Sequence, residues 1–299
     1  MPAAERASIT DELSPPYAVY APAGQTAPVV LCSPHSGRVY TKAFLARSRL
    51  DPLTLRKSED CYVDEIFAPA AGLGAPLLLA RFPRAYLDAN REPYELDPDL
   101  FRERLPEFAN TRSVRVVGGL GTIARIVADG EEIYDGPLPL DVGIERIERL
   151  YKPFHGALAA LVEETRQRFS YSVLVDCHSM PSNSPFGGGA RRPDFVIGDR
   201  FGTACDMRLT RFLKETLSHM GYDVHINRPY AGGYITEHYG RPARRMHALQ
   251  LEINRALYLD ETTLQPTRQF AQLQQHMTHV VGTLMAAVPH LLERRLAAE

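Results

Sequence analysis

The chain is poor in the features that would place it outside ordinary soluble proteins. Its four cysteines, Cys32, Cys61, Cys177 and Cys205, form no Cys-x-x-Cys pair. That argues against a disulfide framework and for reduced thiols in a cytoplasmic protein. No apolar run approaches the ~20 residues needed to cross a bilayer, so no membrane span is expected. The opening stretch MPAAERASITDELSPP contains acids and no apolar centre, which is not the make-up of a signal peptide. Charge of either sign is not in excess: 34 Lys and Arg against 36 Asp and Glu leave a net charge of -2. Nucleic-acid binders concentrate a basic surplus on one face, and none is present. With 44% hydrophobic and 23% charged residues, disordered, collagen-like and coiled-coil readings are set aside as well. A length of 299 residues admits one large domain or two small ones.

Residues 1–27, rich in Ala and Pro, read as a loosely ordered lead-in to a single domain over 28–299. Pro28-Val-Val-Leu-Cys-Ser-Pro-His35-Ser-Gly37 is an apolar run broken by Pro and Gly, the pattern of a buried strand entering a loop. A helix is expected to open at Asp60, and Ala75–Ala80 reads as a strand leading into a second strand over Arg84–Arg91. Residues 92–140, with many Pro and Gly, are expected to be loops, including a turn at Gly118-Gly-Leu-Gly-Thr122. Apolar residues at helical spacing predict a long helix from Asp141 to Phe169, bent or divided at Pro153. Strands follow at Ser172–His178, Asp194–Gly198, His225–Arg228 and Ala248–Arg255, with helices at Asp206–Met220 and Pro266–Leu296. Alternating strands and helices, several strands apolar throughout, predict an α/β fold with a central mixed, mostly parallel sheet flanked by helices.

In such sheets, ligands gather at the carboxyl ends of strands. Four predicted strands end in reactive polar clusters: Ser33-Pro-His35, Asp88-Ala-Asn90-Arg91, Asp176-Cys-His178-Ser179 and Glu252-Ile-Asn254-Arg255. If they converge, the crevice holds two imidazoles, carboxylates and arginines. A hydrolytic zinc site needs about three protein ligands and one open position. His35 and His178 are the first two candidates, and Asp60 is the third, with Glu59 or Asp64 as possible substitutes. Glu252, between Leu251 and Ile253, is costly to bury unless paired or used, and it suits a general base. Arg84, Arg91 and Arg255 could clamp a carboxylate-bearing substrate or stabilise an oxyanion. Each feature also has a structural explanation. A strand-end histidine can simply be hydrogen-bonded, Asp60 can cap a helix, and the Asn-Arg pairs can tie loops together. The glycine-rich stretch 183–193 is a candidate lid. His238 and His247 precede Glu252 in a polar loop.

The ordered segments Ser33-Pro-His-Ser-Gly37, Asp60 with Val63-Asp-Glu-Ile66, Pro83–Arg91, Asp176-Cys-His-Ser179, Gly232-Gly-Tyr-Ile-Thr236 and Gln250–Arg255 resemble the N-formylglutamate amidohydrolases. The resemblance spans about residues 28–265. That family is distantly similar to the zinc carboxypeptidases and aspartoacylases, which share an α/β fold with a central mixed sheet. The resemblance implies one divalent ion, most simply Zn2+, on His35, His178 and an acid at the following helix start. It further implies Glu252 as base and Asn90-Arg91 as a substrate-carboxylate grip. The chain departs from the carboxypeptidase His-x-x-Glu spacing, because Arg38 stands where the Glu would be, and this leaves the acid ligand open. The implied reaction is hydrolysis of the formamide of N-formyl-L-glutamate to formate and glutamate, a step of histidine breakdown. The rivals are the same chemistry on another N-acyl amino acid or peptide-like substrate, or an idle binding protein for anionic metabolites.

Overall fold

The computed structural model describes residues 2–127, 130–182 and 192–293. Its helices are α1 (Pro2–Glu12), α2 (Lys42–Leu45), α3 (Pro52–Arg56), α4 (Val63–Ala71), α5 (Val114–Val117), α6 (Leu140–Arg146), α7 (Lys152–Phe169), α8 (Met207–His219), α9 (Tyr234–Tyr239) and α10 (Phe270–Glu293). A π-helical turn, Ile147–Tyr151, joins α6 to α7. Strands β1 (Tyr17–Tyr20), β2 (Val29–Ser33), β3 (Leu77–Ala80), β4 (Ser172–Met180), β5 (Phe195–Gly198), β6 (Val224–Ile226) and β7 (Met246–Asn254) make a seven-stranded sheet in the order β1-β3-β2-β4-β7-β5-β6. β2, β4 and β7 run parallel to one another, while β5 runs antiparallel to β7. The expected mixed α/β sheet is therefore present. No described helix is long and apolar enough to cross a membrane.

The chain forms two compact units, each assembled from separate stretches. One comprises 19–33, 62–78 and 158–299. Its central strands β2 and β4 are buried at every position, as strands covered on both faces must be, and their Val and Leu residues suit that setting. α10 packs against α4 and α8, and α8 turns Leu209, Leu213 and Leu217 inward at helical spacing. The parallel register pairs Asp176 with Gln250 and His178 with Glu252. Because alternate residues of a strand share a face, these four stand together on one side of β4 and β7.

The second unit comprises 1–18, 34–61 and 79–157. Here the N-terminal expectation fails: residues 1–27 include α1 and β1, and α1 packs on α2 and α6. Its inward residues are few, with Ile9 and Glu5 buried, so no apolar stripe announced it. Glu5 is instead held by Arg146 at 2.7 Å and by the Tyr86 hydroxyl at 2.6 Å. The expected strand over Arg84–Arg91 is also absent, and that segment is a chain of turns after Pro83. The helix expected at Asp60 starts at Val63, behind Tyr62 in the left-handed conformation at φ 62°. The long helix of 141–169 is divided as expected, by the π turn that precedes Pro153. Residues 294–296 of the expected closing helix lie outside the described residues.

Candidate functional site

Within the second unit the site is built around Asp88. Its carboxylate is buried and accepts from three cationic or imidazole groups. Oδ1 lies 2.7 Å from His35 Nε2, and Oδ2 receives Arg84 Nη2 at 2.9 Å and Nε at 3.2 Å, with Arg91 Nη2 at 3.5 Å. Asp88 Oδ1 also accepts the Asn90 backbone N–H. Burial alone would raise the pKa of this acid, but Arg91, His35 and Arg84 together hold it well below the ordinary carboxylate range. Burial in turn lowers the Arg91 pKa to about 10.

Arg91 donates from Nε to the Leu120 carbonyl at 3.0 Å, and Asp88 N–H donates to the Thr122 carbonyl at 2.8 Å. The Gly118–Thr122 stretch is thus the turn the sequence suggests, and it braces the Asp88–Arg91 loop. Gly121 is required there, since a Cβ would stand 2.3 Å from the Glu95 carbonyl oxygen.

His35 follows β2 by two residues. With Nε2 committed to Asp88, its Nδ1 lies 3.4 Å from Asp60 Oδ2. The Asp60 N–H also donates to the His35 carbonyl at 3.1 Å, which ties the two residues together through the backbone. Helix capping does not explain Asp60, because Tyr62 holds the N-cap position of α4. Nor does Asp60 share a helix face with Asp64, since it precedes the helix. Glu59, the neighbouring acid, is turned to the Tyr40 hydroxyl at 2.6 Å and to Arg56 Nε at 3.2 Å.

Within the sheet-bearing unit, His178 lies on β4 two residues after Asp176, on the same face. Its Nε2 is 2.9 Å from Asp176 Oδ1. Glu252, beside His178 on β7, accepts from Gln250 Nε2 at 2.7 Å, and Gln250 Oε1 accepts the Gly233 N–H at 2.8 Å. This relay fixes Glu252 in a buried position. Arg255 donates from Nε to Ser179 Oγ at 3.1 Å. Of the other flagged histidines, His247 is buried on β7 and accepts the Asp206 N–H at Nδ1. Burial lowers its pKa to about 4, so it is neutral at physiological pH. His238 stacks on Tyr234 within α9. The lid expectation for 183–193 falls, apart from Arg192 and Pro193, outside the described residues.

Among the described residues, His35, Asp60 and His178, all buried, offer ligand atoms within 4.8 Å of one another, a set able to hold a metal ion. Two imidazoles and one carboxylate are a donor set that suits zinc. His35 has its Nε2 hydrogen-bonded to Asp88, the backing by which metal-binding histidines are commonly oriented, and His178 Nε2 stands 2.9 Å from Asp176 Oδ1, outside hydrogen-bond geometry. The orienting roles of Asp88, Asp176 and Gln250 escape a reading of the sequence. Its one trace is the i, i+2 spacing of Asp176 with His178 and of Gln250 with Glu252.

Comparison with known proteins places this geometry in a class. A family model described as N-formylglutamate amidohydrolase matches residues 27–259, so this α/β protein is an amidohydrolase. It is 29% identical over 238 residues to the N-formylglutamate deformylase of Pseudomonas putida, covering 79% of this chain and 83% of that one. The crystal structure of N-formylglutamate amidohydrolase from Ralstonia eutropha shares 35% identity. It superposes with a TM-score of 0.87 over 92% of this chain and 99% of that one. A gene product of Agrobacterium tumefaciens shares the fold, with a TM-score of 0.63, 20% identity and coverage of 91% and 95%. The chain belongs to the N-formylglutamate amidohydrolase family.

Proposed function

We propose that this chain hydrolyses the formamide bond of N-formyl-L-glutamate to formate and L-glutamate, as a cytoplasmic step of histidine degradation. His35, Asp60 and His178 hold one divalent ion, most simply Zn2+. The observation that carries this reading is that the family-matched segment contains the buried His35–Asp60–His178 group with an aspartate behind each imidazole. When bound, the ion supplies Lewis acidity and lowers the pKa of water from 15.7 towards about 7.

The remaining work belongs to the chain's own residues. Glu252, aimed by Gln250, takes the proton of the attacking water and returns it to the departing amine as the C–N bond breaks. Asp88 keeps the His35 imidazole in one tautomer, and the Asp176 carboxylate stands beside the His178 ring. Arg91 stabilises negative charge developing on the formyl oxygen. Arg84, Asn90, Arg91 and Arg255 present donors to the two carboxylates of the substrate. A substrate with two negative charges calls for such donors even in a chain with a net charge of only -2.

The test is formate release from N-formyl-L-glutamate with and without a chelator, and with Glu252→Gln. Chelation is expected to abolish release and added zinc to restore it. The variant is expected to lose at least about 100-fold, the usual worth of a general base. Unchanged release under both treatments defeats the proposal.

A further inference from the structure

Three side chains of one helical rod satisfy carbonyls of the same irregular loop. Arg146 Nη1 donates to the Tyr86 carbonyl at 3.2 Å, and His155 Nε2 to the Ala89 carbonyl at 2.9 Å. The Tyr151 hydroxyl donates to the Arg91 carbonyl at 2.7 Å. The loop has no strand or helix partner of its own, so these donors satisfy backbone groups that would otherwise be costly to bury. In an unbroken α-helix, Arg146 and Tyr151, five residues apart, would diverge by about 140° around the axis. The π turn at Ile147–Tyr151 narrows that divergence, since i to i+5 bonding brings residues five apart towards a common face, and Lys152 N–H indeed reaches the Ile147 carbonyl. His155 then lies one α-helical turn further on the same face and stacks on Tyr151 with ring centroids 4.2 Å apart.

We propose that Tyr151 and His155, phased by the π turn, are positioning residues for the Asp88–Arg91 loop. They fix the direction from which Asp88 meets His35 Nε2 and so tune the grip of the His35–Asp60–His178 group on its ion. This rests on the metal-site reading above but not on the identity of the substrate. A structural tether would need only to hold the loop near the helix. Here two donors bracket Asn90, on the residues either side of it, and so set the twist of the segment carrying Asp88.

The test uses the full chain stripped of metal, with zinc affinity measured by competition against a chromophoric chelator in the absence of substrate. Tyr151→Phe keeps the ring and removes the hydroxyl. It is expected to weaken zinc about 10-fold, at the lower edge of the 10- to 100-fold seen when ligand-orienting partners are lost. His155→Phe is expected to do the same. Tyr222→Phe, which removes a hydroxyl bonded to His276 within the sheet-bearing unit, is expected to leave zinc affinity unchanged. Equal zinc affinity in all four proteins, with a lower melting midpoint for Tyr151→Phe, overturns the proposal and reduces the bonds to tethers. Failure of the wild type to bind zinc overturns it too. A wild type that binds zinc but releases no formate removes the functional reading alone and leaves the affinity comparison standing.

Discussion

The two compact units carry their reactive groups in opposite ways. In the sheet-bearing unit, His178 and Glu252 stand on regular strands, and their orienting partners, Asp176 and Gln250, are two residues away on the same strands. Strand periodicity alone puts each partner on the right face. In the other unit, His35, Asp60 and the Asp88–Arg91 loop belong to no strand or helix. Their arrangement depends on bonds between distant residues: Asp88 to His35 across 53 positions and Tyr151 to Arg91 across 60. Regular structure therefore orders the reactive groups of the sheet-bearing unit at short range, whereas those of the other unit need a buried polar scaffold.

The largest expected effect tests that scaffold. Arg146 and Glu5 are both fully buried and paired, with the Arg146 guanidinium 4.0 Å from the Tyr86 ring centroid. Glu5→Ala leaves a buried cation without its carboxylate and is expected to cost about 3–5 kcal/mol in denaturant unfolding. Arg166→Ala in the sheet-bearing unit breaks only a surface pair with Glu163 and is expected to leave the unfolding midpoint nearly unchanged. Similar losses from the two would erase the contrast.

The units should also differ in their response to acid. In the sheet-bearing unit, burial depresses the His247 pKa from 6.5 to about 4. The unfolded chain therefore takes up a proton before the folded one does. Stability is intact above about pH 6.5 and falls as the pH drops towards 4, by up to about 3 kcal/mol at ~1.36 kcal/mol per pH unit. In the other unit, burial would raise the Glu5 pKa, yet Arg146 and Tyr86 bring it below the ordinary 4.5. Its contribution is full above that value and is lost only as the pH falls below it. Urea unfolding between pH 7 and 4 is expected to show a loss in the wild type that His247→Asn lacks. An equal loss in both proteins would show that this histidine is not the acid-sensitive group.

The smallest effect sharpens the comparison within the site. Asp88→Asn and Asp176→Asn each remove the carboxylate behind one imidazole, and each is expected to weaken zinc by about 10- to 100-fold. Only Asp88 also anchors Arg84 and Arg91. Its variant is therefore expected to raise the KM for N-formyl-L-glutamate as well, while Asp176→Asn changes KM little. Steady-state kinetics at saturating zinc separate the two, and matching KM values would deny Asp88 its second task.

The same contrast governs what could be read from the sequence. β2 and β4 are legible because their Val and Leu runs leave few alternatives, and β7 because Ala248, Leu249, Leu251 and Ile253 recur among its polar residues. The polar residues closing these strands point to His35, His178 and Glu252. The Arg84–Arg91 segment reads as a strand because its polar and apolar residues fit one, while the bonds that shape it come from helix α6, the π turn and α7. α1 leaves little trace in the sequence because Glu5, the residue it buries most completely, has the look of a surface acid, and only its pairing with Arg146 accounts for its burial. Nothing local distinguishes Asp60 from Glu59 as a candidate ligand. What separates them is that Arg56 and Tyr40 engage Glu59, while Asp60 falls in the group able to hold a metal ion.

All four cysteines are buried and none forms a disulfide, and desolvation drives the Cys205 thiol up to about 12 and those of Cys32 and Cys177 well above their usual value. Native thiols so protonated and so enclosed react slowly with maleimides. A single cysteine engineered on an exposed loop could accordingly be tagged with a fluorophore or spin label in the otherwise unaltered protein, without first deleting the native ones.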